Sequence, residues 1–544
     1  MLKKLEAENI IKILHNSINR ALSIKVSNFP KPYYCSFNLK DKDIFSTWSI
    51  AGSTQKIIDK KQRRAFLDLR VGSSNYDQIT SGGLEDNDDE TSSYDYTTLP
   101  IDDKNFNGLK VLLWKLTESK FREALTDYSE KKSDSLSKVN QFEKLNSLLK
   151  SKKIINKNFK KNSKKKTDQK TWINFCKKAS LWVSQLEFVT SSWVEVEVVQ
   201  ETKVFVDSNK SEIVEHNNIY TINGSICNLT KQGRQIDQEI NLNFSNESEL
   251  PSFKEFKEIV NKKYLQLLSL IKAPKLYSYS GPALLLEKPA GLLFHEAIGH
   301  RLEGSRLLST GEGQTFKNKI NEKIINIGID ITDTPNLKNF NQTSCIGAFD
   351  YDDQGVKSKD VTLVKNGVLK DFLNTRSELP IKNNKLNGHA RNETFERPVS
   401  RMGVTVVKTK DGLSFKELKN LLVKEIIKQK RKFGIIIYET SGGETETDSF
   451  NFQAFSGEIS YASRVFADGS EEIIKGLDFV GTPLTALSSI LAAGDKQVID
   501  NHYCVAESGL IPVTTISPSI LLSNLELQEK DEDLVTQYLL KSPI

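Results

Sequence analysis

The 544-residue chain is long enough for at least two buried cores, and with 27% charged and 38% hydrophobic residues it has an ordinary globular make-up. No apolar run is long enough to span a bilayer, which argues against an integral membrane protein. Five widely spaced cysteines (Cys35, Cys176, Cys227, Cys345, Cys504), none in a Cys-x-x-Cys pair, argue against a disulfide framework or a zinc ribbon.

In chain order, Leu5 to Leu22 has helical periodicity and lacks the apolar core of a secretory signal, so a cytoplasmic protein is expected. Arg64 to Arg70 reads as a strand, and Ser81 to Asp103, rich in Gly, Ser, Asp and Thr, as a loop. Phe106 to Leu149 reads as a pair of helices. The net charge of +6 is unevenly placed: Lys150 to Lys170 holds ten lysines and one acid, Asp168. Having few apolar groups and only Phe159 as an aromatic, this run is read as a solvated, mobile insertion rather than a nucleic-acid site. Trp172 to Leu186 is expected to be helical. Trp193 to Asp207, Asn218 to Cys227 and Ile236 to Phe244 alternate as antiparallel strands, and Pro251 to Ile271 is an amphipathic helix. A boundary is expected near Ala273 to Ser280.

The second half opens with a strand, Pro282 to Leu286, a Pro-Gly break at Pro289 to Gly291, and a helix from Leu292 to Leu308. Short β segments follow: Val361 to Val364, a turn at Asn366-Gly367, Val368 to Phe372, Gly403 to Val407, Gly434 to Tyr438 and Phe452 to Ala462. Phe415 to Lys432 is helical with a capping box at Ser414 and Glu417. Gly481 to Ala493 is expected to be helical, and strands return from Leu510 to Leu525. The fold class is α+β: a mixed N-terminal domain (1–274) with a helical, Lys-rich insertion at about 81–170, and a β-rich C-terminal domain (275–544).

The chemistry centres on Phe294-His295-Glu296-Ala297-Ile298-Gly299-His300-Arg301-Leu302-Glu303, which holds two of the six histidines. This is one residue longer than the His-Glu-x-x-His of zinc peptidases, and a chance match is rare, on the order of one in a hundred or less. Two neutral imidazoles suit Zn²⁺, and a glutamate beside the first can serve as general base. Residues five apart stand about 140° apart on an ideal helix, so the spacing predicts a local π-type turn. Gly299 eases that distortion and allows close backbone approach. A tetrahedral site needs a third protein ligand. Cys504, in a polar stretch before a strand, competes with His502, Glu303, Glu444, Glu446 and Asp448, and spacing does not choose among them. Asp350 to Gly355 resembles the start of a calcium loop, but Gln354 and Val361 fall at ligand positions, so an Asx-rich turn is expected.

These segments together resemble the TldD/PmbA family of zinc metallopeptidases, in its metal-bearing TldD branch. The likeness rests on Phe294 to Gly304, Asp352-Asp353-Gln354-Gly355-Val356, Val364 to Leu369, Asn387-Gly388-His389-Ala390-Arg391, Pro398-Val399-Ser400-Arg401-Met402, the Gly442-Gly443 turn and the segment around Cys504, in that order. It implies His295, His300 and Cys504 as ligands of one Zn²⁺ per chain and Glu296 as the catalytic base. It implies a peptidase acting on unfolded or leader-type peptides, as a homodimer or a heterodimer with a PmbA-like chain. His389, Arg391 and Tyr438 are candidate substrate contacts. Where the family has Gly-Lys…Gly-Gln after its cysteine, this chain reads Val505-Ala506-Glu507-Ser508-Gly509. The competing reading is a catalytically silent, metal-containing scaffold or peptide-binding subunit; the intact Glu296 speaks against it.

Overall fold

The computed structural model describes residues 2–84, 96–102, 104–137, 145–159, 168–231, 233–382, 385–449, 453–530 and 534–536. Parts of four expected segments lie outside these: 85–95 and 103 of the expected loop, 138–144 of the expected helix pair, 160–167 of the lysine run, and Phe452.

Two sheets organise the chain. A seven-stranded sheet is built on the hairpin Pro32–Ile50/Ser53–Val71, followed by Ser191–Asp207, Glu212–Leu229 and Gln235–Phe244. The helix Lys4–Leu22 buries Ala7, Ile10, Ile11, Leu14 and Ile18, an i, i+3, i+4 stripe, in a core shared with Asn107–Ser137 and the inner sheet face. Helices Gln169–Ser184 and Phe253–Lys272 complete a second core over Ser191–Asp207 and Glu212–Leu229. No described helix is long and apolar enough to cross a membrane.

An eleven-stranded mixed sheet occupies the C-terminal half. Its longest strand, Gly509–Glu529, pairs with Leu477–Gly481, which pairs with Phe455–Phe466, then Phe433–Thr445, then Ser278–Leu285, and that strand pairs back with Gly509–Glu529. The pairings close a five-strand ring. The helix Glu287–Phe294 joins one apolar cluster with the ring, its Leu293 and Phe294 beside Ile435, Ile437, Phe455, Phe479 and Ile520. Every residue from Leu293 to Ser309 is buried. A segment buried on all sides is apolar all round unless its polar groups are partnered, so its histidines, glutamates and arginines need specific neighbours.

Several expectations change. Pro289 and Gly291 do not break the helix. Pro289 lies in the first turn, where a missing N–H costs nothing, and an added Cβ on Gly291 would stand 3.2 Å from Thr515 Cγ2. Gly481 to Ala493 is helical only over Pro483–Ser488. From Ile490 the chain is a strand, because Ile490 to Ala493 pair with Leu522 to Ile520. Cys504 therefore lies inside the strand Ile490–Ala506, paired with Ile511, rather than before a strand. The described helix is Asn107–Ser137, and residues 145–149 are not helical. Within the lysine run, Ile155–Lys157 is a parallel edge strand on Glu212–Val214, not a free insertion. The Asp352 turn is as expected. Its Oδ1 accepts from Gln354 N (3.0 Å) and Val356 N (2.8 Å). Gly355 has φ +74° and is packed so tightly on Phe205 that a Cβ would overlap the ring.

That turn joins the two halves. Buried Asp353 lies 3.4 Å from Lys40 Nζ and 3.5 Å from Lys203 Nζ, and accepts from Asn38 Nδ2 at 2.9 Å. Burial would raise its carboxyl, but the two ammonium groups outweigh it and hold it far below the usual range. Removing one member of a buried ion cluster leaves uncompensated charge, so Asp353→Ala is expected to lose about 3–5 kcal/mol at neutral pH. A depressed carboxyl stabilises the fold above its unfolded value, near pH 4, and the contribution fades as pH falls further. Urea unfolding of both proteins from pH 7 to pH 3 checks this. The gap should narrow in acid; an equal stability at pH 7 would contradict it.

Candidate metal centre

The helix Glu287–Phe294 runs directly into a π turn over His295–Gly299, closed by His300 N–H donating to His295 C=O. The turn has five-residue hydrogen bonding, as the spacing predicts, and it brings the two imidazoles together with ring centroids 4.9 Å apart. Gly299 keeps helical angles (φ −55°, ψ −59°). It is needed for space, since Met402 Sδ would lie 2.2 Å from an added Cβ.

Cys504 meets the pair from the strand Ile490–Ala506. Its Sγ is 3.3 Å from His295 Nε2 and 3.3 Å from His300 Nε2, and the three donor atoms lie within 4.8 Å of one another. All three side chains are buried. Burial would raise the Cys504 thiol, but the imidazoles of His300 and His295 outweigh it and hold it well below its ordinary value. A thiolate and two imidazoles form a donor set that fits zinc. Among the described residues no other group of three or more ligating side chains assembles this way.

The other third-ligand candidates fall elsewhere. Glu303 Oε2 lies 3.2 Å from His300 Nδ1, orienting the ring so that Nε2 faces Cys504. Burial would raise the Glu303 carboxyl, but His300 and Arg306 bring it down to about 2. Glu444 and Glu446 line a separate cavity with Phe455, Val480 and Glu526, and the backbone of Asp448 pairs with that of Glu312 in an isolated antiparallel bridge. His502 packs edge to face on His295 without joining the trio. Glu296 is buried, with Oε2 3.9 Å from His300 Nε2, and burial raises its carboxyl above the ordinary range.

The candidate substrate contacts are dispersed. His389 is fully buried, its Nε2 3.1 Å from Asp333 Oδ1 and its Nδ1 3.1 Å from Asn387 Oδ1. Arg391 donates to Met402 O and lies over the Phe349 ring. Tyr438 OH donates to Glu471. Two arginines take parts that the sequence reading left unassigned. Arg401 donates from Nη2 to Cys504 Sγ (3.2 Å) and Cys504 O (2.9 Å), and from Nη1 to Ser508 Oγ (2.9 Å). Arg306 ties Glu303, Glu312 and Glu507 together. Glu507 stands in the segment that departs from the Gly-Lys pattern, so the departure has a local partner. Arg401 belongs to the Pro398 to Met402 segment, but only the strand Ile490–Ala506 reveals what it touches.

Supporting carboxylates on metal-binding imidazoles matter about 10- to 100-fold in affinity. Glu303→Gln is therefore expected to weaken zinc binding by that order while leaving a folded chain. Competition against a chromophoric chelator measures it; undiminished affinity would assign Glu303 a purely structural part.

Residues 278–529 match the family model of the PmbA/TldA metallopeptidase C-terminal domain. A metalloprotease of Archaeoglobus fulgidus is 30% identical over 235 residues, 43% of this chain and 49% of that protein. A zinc metalloprotease TldD homolog of Saccharolobus solfataricus is 26% identical over 255 residues, 47% of this chain and 52% of its own length. The chain thus spans about half the length of the curated relatives it matches. In fold the likeness is wider. The crystal structure of TldE from Thermococcus kodakarensis, 12% identical, covers 96% of this chain with TM-score 0.59. A putative modulator of DNA gyrase from Bacteroides thetaiotaomicron, 14% identical, covers 97% with TM-score 0.60. Residues 278–529 are thus similar in sequence to the PmbA/TldA metallopeptidase C-terminal domain, and the fold along nearly the whole chain is similar to that of these solved structures.

Proposed function

We propose that this chain is a zinc-dependent peptidase. The observation that carries the reading is the convergence of His295, His300 and Cys504 beside an intact Glu296. Bound there, zinc supplies Lewis acidity, activating a water and polarising a peptide carbonyl. Glu296 follows a ligand directly and lies near the donor atoms without being one of them. Raised by burial, its carboxylate is poised to accept the water's proton at Oε2 and pass it to the leaving amine. Arg401 holds the thiolate by charge and by its grip on the Cys504 carbonyl, and Glu303 sets the His300 tautomer.

The remaining parts of the reading are an unfolded or leader-type peptide as substrate, one zinc per chain, and assembly as a homodimer or with a PmbA-like chain. Five buried, unpaired cysteines suit a reducing compartment such as the cytoplasm. A two-domain division at 274/275 is supported by the strands, since one sheet lies within 32–244 and the other within 278–529.

The test is hydrolysis of unfolded peptides and bound zinc measured on the same preparations. His295→Ala and His300→Ala are each expected to abolish stoichiometric zinc; full retention would put the metal elsewhere. Glu296→Gln is expected to keep zinc and its melting temperature and to slow turnover by roughly 10²–10⁴-fold. Undiminished turnover would remove Glu296 as base. If the wild-type chain cleaves nothing, even with a PmbA-like chain added, the silent-scaffold reading replaces this one.

A further inference from the structure

His502 is not used by the mechanism above. It lies on the strand Ile490–Ala506, two residues before Cys504, so residues 500, 502 and 504 project from one face. All three meet the helix and turn that carry the histidines. Asp500 Oδ1 is 3.0 Å from Lys288 Nζ, the His502 ring sits edge to face on His295 at 5.0 Å, and Cys504 Sγ touches both motif imidazoles.

Both ring nitrogens of His502 are buried without a hydrogen bond of good geometry, and His295 Nδ1 is in the same state. Burying such atoms unpartnered is costly, so a polar or metal partner for them is the physical expectation. The surroundings favour an ion. Asp500 Oδ2 lies 3.8 Å from His502 Nδ1, too far for a hydrogen bond but on that nitrogen's side of the ring. A carboxylate there supports an imidazole that ligates through its other nitrogen, a place that Glu303 takes on His300 by a hydrogen bond and that Asp500 approaches on His502.

We propose that His502 is a fourth, exchangeable protein ligand of the metal centre, binding through Nε2. The proposal rests on His295, His300 and Cys504 holding the metal. His502 stands outside the group whose donor atoms lie within 4.8 Å, so ligation requires a rotation of its side chain. Four protein donors complete a tetrahedron, as in a closed site, whereas a catalytic site keeps one position open. His502 therefore occupies the fourth position when no substrate is bound, and gives it up to water and peptide. Its side chain is 26% exposed, so it has room to leave.

The experiment uses full-length chain and the metal alone. Zinc K-edge absorption of the wild-type, substrate-free protein counts imidazoles by their multiple scattering; three are expected, beside one sulfur. Metal-free wild type, His502→Ala and His295→Ala are then titrated with zinc against a chelator, and with cobalt followed in the visible. His502→Ala is expected to stay folded and to bind zinc about 10- to 100-fold more weakly. Its cobalt ligand-field bands should shift as an oxygen replaces a nitrogen. Two imidazoles in the wild type, or unchanged affinity and spectrum in His502→Ala, would overturn the proposal. If His295→Ala loses the metal while His502→Ala does not, only the fourth ligand is lost. If His295→Ala also binds normally, the centre itself is misassigned and the proposal fails with it. The wild-type imidazole count decides the matter even if His502→Ala does not fold.

Discussion

One backbone hydrogen bond sets the geometry of the centre: His300 N–H to His295 C=O, spanning five residues instead of four. It adds one residue to the turn and rotates His300 onto the side of His295. Such a turn is disfavoured in an isolated helix. It persists here because the whole segment from Leu293 to Ser309 is buried in the C-terminal core and cannot relax without breaking the packing around it. Met402 against Gly299 and Thr515 against Gly291 mark how close the surrounding chain has come.

Burying that segment brings polar groups into the core, and the structure satisfies them in a chain. Glu303 serves His300 and Arg306; Arg306 serves Glu312 and Glu507; Arg401 serves Cys504 and Ser508. Isolated buried ion pairs are weak evidence of stability, because desolvation offsets their attraction. Here the network has a clearer use. It fixes the tautomer of one imidazole, favours the thiolate, and ties the turn at Glu507–Ser508 to the motif.

Much of this was legible in the sequence where pattern and burial agree. The alternation in Trp193 to Asp207, the capping box at Ser414 and Glu417, and the five-residue histidine spacing each have one local solution, and each has that form in the fold. What escaped was decided by distant partners. Pro32–Ile50 carries Lys40-Asp41-Lys42-Asp43 at its centre, which looks like a polar loop. Lys40 and Asp41 are in fact buried, because Asp353 and Arg63 neutralise them. Ile490 to Ala493 became strand because Leu522 to Ile520 were there to pair with. The parts played by Arg306 and Arg401 lie at sequence separations that no local pattern reaches.

Those separations also impose an order in time. Cys504 is 204 residues beyond His300, and the contact between them closes a loop running through most of the eleven-stranded sheet. On a growing chain the motif emerges long before its thiolate, and two imidazoles alone make a poor cage for zinc. The centre can therefore mature only after the strand Ile490–Ala506 has been made and has docked, with Gly509–Glu529 completing its hairpin. Closing so long a loop is an entropic cost borne late in folding. A metal captured at that moment would stabilise the folded chain by mass action. Loading of the proposed centre would thus report that the strand Ile490–Ala506 has been made and has docked.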